Sequence, residues 1–553
     1  MSTTDTPDAA VADRFDTAAA DPARWLTLAI IVVSAFIVVL DNTVLNVAIP
    51  TIIRDFHTSL LSVEWVITGY ALTFASLLII GGRLGDIYGH RRAFIIGCSL
   101  FATGSLIAAL SQGVHELILG EAIIEGMGAS LMLPATIAIL SSTFRGRERA
   151  TAFAAWGAAA GVGSALGPTV GGFLTTNFSW RWAFGINVIV APLAVVGALV
   201  FMKRGVRADR KVAIDIPGAA LIAAGMFLLV FGLSEGSLYG WWKPIKNLTI
   251  AGHVVWPSTR SLSIIPLVFV ASGALLAGFF LVERWKEREG RYPLFEFTHL
   301  RFRTYRYGLL TGQIVAMGQL GVSFALAVFL QNGRHLSAAQ NGLWLLPTGL
   351  FVIVGAQTGG RLIRYVGATV VVRMGLLSYA IGVLVIFRAI SVDITEWQLL
   401  PGFAFFGIGI GFAVAQLVSI VLSEIPSESA GSAGGANTTM RQVGSALGVA
   451  VIGALFTTQT IRHATSQLEG SSLGATAKSD AIAGVHTLGA NYTPRTGTSP
   501  ADASIIRHAL EHGVVSGTRT ALLFALAVVA LGGLLSLLIP NIKIAREAGP
   551  GGH

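Results

Sequence analysis

The chain has 553 residues, of which 53% are hydrophobic and only 12% are charged, and its mean hydropathy is +0.70. Soluble domains carry about 25% charged residues, so this composition excludes a soluble globular protein and indicates an integral membrane protein. The net charge of +9 does not indicate a nucleic-acid partner, because the Lys and Arg residues lie in short segments between apolar runs, where membrane topology alone places them. The single cysteine, Cys98, excludes an internal disulfide framework.

Residues 1–24 are polar and acidic and lack the basic region that begins a secretory signal peptide. We therefore expect a disordered cytoplasmic tail, followed by a first span that stays in the mature protein. Fourteen apolar runs follow that are about 20 residues long, the length that crosses the hydrocarbon core of a bilayer. They lie at 26–49, 63–81, 93–111, 116–140, 150–174, 181–201, 215–235, 263–283, 306–331, 339–359, 371–390, 396–422, 431–457 and 519–540.

An even number of spans places both termini on the same side of the membrane. Lys and Arg are concentrated in the loops on that side, including a dense set from Arg284 to Arg306. The positive-inside rule then predicts that both termini, including a second tail at 541–553, are cytoplasmic. The longest loop on the other side, at about 458–518, is rich in Ser, Gly, Thr and Ala. We expect it to be flexible, with a short helix near Ala503–His512.

Two internal repeats divide the chain. GGRLGDIYGH at 81–90 is repeated as GGRLIRYVGA at 359–368, and VGSALG occurs at both 162–167 and 443–448. The two offsets are 278 and 281 positions. They predict an all-α membrane fold with two pseudo-symmetric six-helix bundles, at 25–201 and 306–540, and two inserted helices with basic cytoplasmic linkers at 202–305. Parallel halves of this kind are typical of a family of secondary transporters.

Four motifs, in this order, resemble those of the major facilitator superfamily, specifically its fourteen-span drug:proton antiporters. They are LDNTVLNVAIP in span 1, GRLGDIYGHRR after span 2, GSALGPTVGG in span 5 and WRWAFGINV at the start of span 6. The resemblance covers nearly the whole chain and implies the major facilitator fold, alternating access and a proton gradient as the energy source, with no cofactor. One position departs from the pattern: Ala122 stands where the family's fourth-span signature has an arginine.

In that family the loop after span 2 is a gate. The resemblance carries this role to the loop residues and to the repeated loop after span 10, namely Gly82, Asp86, Gly89, Arg91 and Arg364. We expect Asp86 to form a charge cluster with Arg91 and Arg92 that holds one conformation shut. The alternative is an ordinary basic turn anchored at the lipid headgroups.

Acidic residues inside apolar spans are the strongest functional signal. Asp41 lies in the middle of span 1 beside Asn42 and Asn46, and an ionised carboxylate there costs roughly 2.5–3.5 kcal/mol. We expect it to load and release a proton; the alternative is a polar contact that only packs helices. Glu121 and Glu125 in span 4 are one helical turn apart, so they cannot comfortably both ionise. They predict a proton store or a site for a cationic substrate, unless span 4 begins later and they lie in headgroup water.

Other residues are predicted to pack helices or to line the cavity. Small residues recur every fourth position in span 5, beside a proline that invites a kink, and the residues assigned to packing and rocking are Gly163, Gly167, Pro168, Gly171, Gly172 and Arg441. For Arg441, near the start of span 13, a side chain that reaches to the headgroups and a gating partner are equally good interpretations. By analogy with the fold, the substrate cavity is expected to include Asn42, Asn46, Gln313, Met317, Phe412 and Gln416.

Phosphate-loop, zinc-protease and serine-hydrolase motifs are absent from the sequence, so no enzyme activity is expected. The leading hypothesis is a monomeric, proton-coupled exporter of hydrophobic, cationic or amphipathic compounds in a bacterial inner membrane. A second hypothesis keeps the fold but makes the protein a dedicated exporter of one lipid, metabolite or antibiotic. A third is a membrane sensor or scaffold that transports nothing.

Overall fold

The structure, a computed structural model, describes residues 22–58, 60–144, 146–203, 215–250, 253–291, 293–426, 429–494 and 498–541. The predictions for the tails at 1–21 and 542–553 and for most of the linker at 204–214 fall outside these residues. The side chains of Asn46 and Pro168 also lie outside the described part of the chain.

The predicted all-α membrane fold is confirmed. The N-terminal bundle consists of α1 Arg24–Asp55, α2 Leu60–Tyr88, α3 His90–Leu110, α4 Val114–Thr143, α5 Gly146–Asn177 and α6 Trp182–Phe201. The inserted helices are α7 Ile216–Tyr239 and α8 Ile264–Arg288. The C-terminal bundle consists of α9 Arg303–Gly333, α10 Ala338–Val366, α11 Ala368–Ala389, α12 Glu396–Val421, α13 Ala430–Glu469, a short α14 Ala475–Leu488 and α15 Pro500–Ser536.

Thirteen helices of the described residues are long and apolar enough to cross a membrane. Helix α5 is not among them, although it has 32 residues, because Ala and Gly replace the larger apolar residues along it. It packs against α1 in its own bundle and against α10 and α12 of the other, so it occupies the place of the predicted fifth span within the bundle.

The two bundles meet through the helices that carry the repeated motifs. Helix α2 packs against α13, and α10 packs against α5. Since α10 repeats α2 and α13 repeats α5, each contact is the pseudo-symmetric copy of the other. Each bundle has its own buried apolar core, and the core of the N-terminal bundle continues onto α13 through Ala433, Ala436 and Val443.

The inserted helices α7 and α8 pack against each other, and α7 packs against α2 of the N-terminal bundle. On one side, a two-stranded antiparallel hairpin, β1 Leu248–Ile250 and β2 His253–Trp256, joins them. On the other side, the buried carboxylate of Glu283 accepts the backbone N–H groups of Leu294 and Phe295. This fixes the linker that leads to α9.

The stretch at 458–518, predicted as a flexible loop with one short helix, is largely helical. Helix α13 continues to Glu469, α14 follows, and α15 begins at Pro500, so that the short helix expected near Ala503–His512 is the first part of a 37-residue helix. The helices enclose a small apolar core consisting of Ala464, Leu468, Leu473, Ala481, Val485, Tyr492, Ile506, Ala509 and Leu510. This burial makes the segment a packed helical unit.

Candidate functional site

Three carboxyl side chains from α1 and α4 lie together inside the N-terminal bundle. Asp41, Glu121 and Glu125 are 3%, 1% and 0% exposed, and one carboxyl oxygen of each lies within 4.8 Å of the others. We call these three residues the acidic cluster. The sequence singled out each as a proton site but did not predict that they meet, and the burial of both glutamates excludes the alternative position in headgroup water.

The backbone of α4 explains how both glutamates reach the same place. From Ile118 to Glu125 the helix is π-helical, an irregularity that is often found at functional sites. Here α4 lies directly against α3: a Cβ atom added to Gly104 would come within 2.6 Å of the backbone of Gly120 and Glu125. Glycines that let two helix backbones touch in this way are typical of helix packing in membranes. Here they hold the π-helical segment of α4 against α3.

Asn187 completes the site. Its Nδ2 atom donates hydrogen bonds to Asp41 Oδ1 at 2.7 Å and to Glu125 Oε1 at 3.2 Å, and the residue is 1% exposed. The start of α6 is anchored by Trp180, whose ring N–H donates to Asp55 at 2.7 Å. The WRWAFGINV motif resembles that of a transporter family but did not by itself predict a role for Asn187. The signal for that role was a single amide side chain within an apolar helix.

The cluster cannot hold three negative charges. Two unit charges 4.8 Å apart repel by about 3.5 kcal/mol at an effective dielectric constant of about 20, and three ionised groups would make three such pairs. Among the described residues, no Lys, Arg or His forms an ion pair with the cluster, and Asp41 Oδ2, Glu121 Oε2 and Glu125 Oε2 are buried without a hydrogen-bond partner. Protons shared between these oxygens would remove both penalties, so the arrangement favours a partly protonated cluster.

Ala122, the departure from the fourth-span signature, lies in the contact between α4 and α2. It is 1% exposed, and its Cβ atom would lie 2.9 Å from a Cβ atom added to Gly69. An arginine side chain has no room in this contact. The acidic cluster therefore has no cation at the position where the family has one.

Asp86 lies where the two bundles meet, at the end of the molecule that holds the start of α1 and the end of α15. Its carboxylate accepts the backbone N–H groups of Gly431 at 2.8 Å and Ser432 at 2.7 Å, at the first turn of α13. A carboxylate at a helix N-terminus satisfies unpaired N–H groups and interacts favourably with the helix dipole. At the same end, Arg149 Nη2 of α5 donates to the carbonyl oxygen of Leu422 at 3.2 Å.

The predicted charge cluster of Asp86 with Arg91 and Arg92 is not present. Arg91 instead donates to the carbonyl oxygens of Ala198 at 3.0 Å and Leu199 at 2.7 Å, at the end of α6. The last carbonyl groups of a helix lack partners and attract cations. Arg364, which stands in the repeated loop at the position equivalent to Asp86, is exposed. Gly89 has the positive φ of 97° that its turn requires.

The residues predicted to line the cavity are described by their local contacts. Phe412 packs against Gly359 and Gly375 within the C-terminal bundle, because those glycines leave space for its ring. Gln416 is 0% exposed, and neither atom of its amide group has a hydrogen-bond partner. The half-buried Gln313 and Met317 lie where α9 touches α13. Asn42 donates to the carbonyl oxygen of Val38 in its own helix at 2.9 Å.

The span 5 glycines bring α5 against α1. A Cβ atom added to Gly163 would lie 2.9 Å from the carbonyl oxygen of Phe36, and one added to Gly171 would lie 2.9 Å from that of Val44. Gly167 lies against the Thr43 side chain between these contacts. Gly172 is buried in the next position of the same helix. This row of close contacts lies beside Asp41, so the position of α1 depends on α5.

Comparisons with known proteins agree with this architecture. The profile of the Major Facilitator Superfamily matches residues 31–449. The probable actinorhodin transporter of Streptomyces coelicolor is 34% identical over 440 residues, which make up 78% of this chain and 72% of that protein. The puromycin resistance protein pur8 of Streptomyces alboniger is 30% identical over 537 residues, 96% of this chain and 94% of that protein.

Further similarities extend to other exporters and to solved structures. The tetracenomycin C resistance and export protein of Streptomyces glaucescens is 31% identical over 438 residues, 78% of this chain and 76% of that protein. The human organic anion transporter MFSD10 has the same fold, with a TM-score of 0.59 and 14% identity over 93% of this chain and 99% of that one. The proton:xylose symporter XylE also has this fold, with a TM-score of 0.52 and 13% identity over 94% of this chain and 96% of that one. The chain therefore belongs to the Major Facilitator Superfamily and is a multi-pass membrane transporter.

Proposed function

We propose that this transporter exports hydrophobic or amphipathic compounds of the antibiotic kind in exchange for protons, by alternating access. The observation that carries the proposal is the acidic cluster: three buried carboxyl groups within 4.8 Å of one another, with one amide, that of Asn187, donating hydrogen bonds to them. Such a cluster changes its charge by binding protons, and the free energy of binding each proton depends on whether water reaches the cluster. Opening the site to one side or the other would load or unload it.

The energy comes from the proton gradient, and no cofactor is required. The membrane potential contributes about 2.3 kcal/mol per charge per 100 mV. The Lys and Arg bias supports cytoplasmic termini in a bacterial cell membrane, and in that orientation Asp86 and the first turn of α13 close the cytoplasmic end. A monomer contains both bundles and hence a complete pathway.

The substrates of relatives support antibiotic export and leave its breadth open. The names of three relatives each refer to a single compound: actinorhodin, puromycin and tetracenomycin C. Another relative, 28% identical over 433 residues, is the multidrug resistance protein Stp of Mycobacterium tuberculosis. The single-compound names favour, as a second candidate, a dedicated exporter on the same fold. Protection of a drug-sensitive strain against a panel of antibiotics separates the two.

Substitution of the cluster tests the proposal. Asp41→Asn and Glu125→Gln should each lower energised efflux of a fluorescent amphiphile from cells and abolish substrate-dependent proton flux in proteoliposomes. Glu235→Gln is the matched control, because Glu235 is another buried carboxyl in a membrane helix, 6% exposed, whose Oε1 accepts a hydrogen bond from Thr68 of α2 at 3.0 Å. Full transport by both cluster variants would refute proton coupling at this site. Absence of any proton flux in the wild-type protein would favour the sensor or scaffold hypothesis.

A further inference from the structure

Arg441 lies at a depth where arginine is rare. It is 11 residues after Ala430, the first residue of α13, and at 1.5 Å per residue that is about 16 Å into the helix. The hydrocarbon core of a bilayer is about 30 Å thick, so a core that begins at the start of α13 would have Arg441 near its middle. The two interpretations from the sequence, a side chain that reaches the lipid headgroups and a gating partner, both stay predictions. Cations that remain there face a cavity or a partner and mark substrate pathways.

The direction of the side chain follows from the contacts of α13. Gly444 and Gly448 lie against the backbone of α9, whereas Gly431 and Gly435 lie against α2. On a helix with 3.6 residues per turn, Arg441 projects within about 60° of the first pair and about 80–120° from the second. It therefore points between α9 of the C-terminal bundle and α2 of the N-terminal bundle.

Among the described residues, the guanidinium group of Arg441 forms no hydrogen bond and no ion pair, although the side chain is half-buried. Three other partly buried arginines do have acceptors: Arg91 and Arg149 each donate to helix-end carbonyl oxygens, and Arg373 donates to those of Ser536 and Ile539. A partly desolvated cation with five free donors is a ready site for an anion.

A second unpartnered donor lies beside it. Asn437, one helical turn earlier on the same face of α13, is 3% exposed, and its Nδ2 atom has no hydrogen-bond partner. Across the contact with α9 lie Gln313 and Met317. Two donors next to an adaptable apolar side chain suit a molecule with an acidic group on an apolar body.

We propose that Arg441 binds an acidic group of the exported substrate, with Asn437 as a second donor, so that the preferred substrates are amphipathic anions such as carboxylates and phenolates. This inference rests on the proposed export function and replaces the expectation of cationic substrates. It also assigns separate tasks to the charged groups: the acidic cluster of the N-terminal bundle binds protons, and the cation of α13 binds the substrate.

Two xanthene dyes of similar shape and opposite charge provide the test. Binding of fluorescein, an anion, and rhodamine 123, a cation, is measured by fluorescence polarisation on the full-length protein in nanodiscs of neutral phosphatidylcholine, where no anionic lipid competes. We expect wild-type protein to bind fluorescein more tightly than rhodamine 123. Arg441→Gln should weaken fluorescein binding by about 10- to 100-fold, the loss expected for a charged hydrogen-bonded contact, and leave rhodamine 123 binding nearly unchanged.

Arg441→Lys keeps the charge but not the planar fork of donors and should give intermediate fluorescein affinity. Size-exclusion profiles and unfolding temperatures show whether each variant is folded. Equal loss of both dyes would assign Arg441 a structural role or a role as counter-ion of the acidic cluster, and would overturn the proposal; so would unchanged fluorescein binding in Arg441→Gln. Because binding is measured without a gradient, charge-selective binding without proton flux would refute the proposed coupling and leave this inference standing.

Discussion

The contact between α2 and the first turn of α13 can be opened by adding one methyl group. Gly82 of α2 lies against the carbonyl group of Gly431, and a Cβ atom at Gly82 would overlap this oxygen. The obstacle is backbone on both sides, so no side-chain rotation relieves it. Gly82→Ala must therefore move α13 away from α2, and with it the N–H groups that Asp86 binds.

The cost can be estimated from the hydrogen bonds that are lost. Asp86 accepts two backbone N–H groups, at 2.8 and 2.7 Å, and a hydrogen bond to a charged group contributes about 1.5–3 kcal/mol. Loss of one of them shifts the equilibrium between the closed and open forms of this end by about 10- to 150-fold. Under alternating access, Gly82→Ala should populate the form that is open at the end holding the termini.

Distance measurements between spin labels report this opening directly. Tyr88 and Tyr365 are 46% and 82% exposed and lie at the equivalent ends of α2 and α10. With Cys98 replaced by Ala, labels at Tyr88→Cys and Tyr365→Cys report the separation of the two bundles by double electron–electron resonance. In Gly82→Ala we expect the distance distribution to shift to longer values.

The repeat supplies a matched control. Gly360 is the counterpart of Gly82 in the second motif, but a Cβ atom there would lie 3.7 Å from the Cβ atom of Ala154, an ordinary van der Waals contact. Gly360→Ala should leave the label distances as in the wild type. If the two variants shift the distances equally, or Gly82→Ala leaves them unchanged, the glycine contact and Asp86 do not hold this end closed.

Two predictions concern stability, and thermal unfolding of detergent-purified protein checks both. Glu283→Ala leaves the N–H groups of Leu294 and Phe295 buried without an acceptor, which costs about 1–3 kcal/mol for each group, so the unfolding temperature should fall by several degrees; an unchanged value would mean that water replaces the carboxylate. Trp180→Phe keeps an aromatic ring but removes the 2.7 Å hydrogen bond to Asp55; we expect a smaller decrease, about 1–2 kcal/mol, and a decrease as large as that of Glu283→Ala would point to lost packing instead.

The fold was predictable because the chain contains two halves with repeated motifs. The two copies of the GGRL motif and the two copies of VGSALG are separated by similar offsets, 278 and 281 positions, which implied two halves; the length of the apolar runs implied the spans. What the repeats could not reveal is which helices meet: α2 contacts α13, not its own copy α10, because the pseudo-symmetry axis lies between the bundles. Between Thr457 and Arg519 only the short helix near Ala503–His512 was predicted, since Ser, Gly, Thr and Ala resemble a loop in composition, whereas the helicity there comes from burying an apolar core.

The site was predictable residue by residue but not as a constellation. Acidic residues in apolar runs stand out because their burial is costly, and all three were identified. Their convergence depends on the π-helical turn of α4 and on Asn187, and neither leaves a periodic signal. The predicted partner of Arg91, the carboxylate of Asp86, was wrong. In the folded chain Arg91 instead binds carbonyl oxygens at the end of α6, more than 100 residues away, and the sequence alone does not show that this helix end lies nearby.

The two charged sites together suggest how the membrane potential would act on both halves of the proposed cycle. With one carboxyl group of the acidic cluster ionised and a substrate anion neutralising Arg441, the outward step carries net negative charge. With the cluster protonated and Arg441 empty, the return step carries net positive charge. An inside-negative potential favours both movements, by about 2.3 kcal/mol per charge per 100 mV. A cationic substrate would not give a negatively charged outward step. Arg441 would stay unpaired in that step, and the substrate would add a second positive charge beside it.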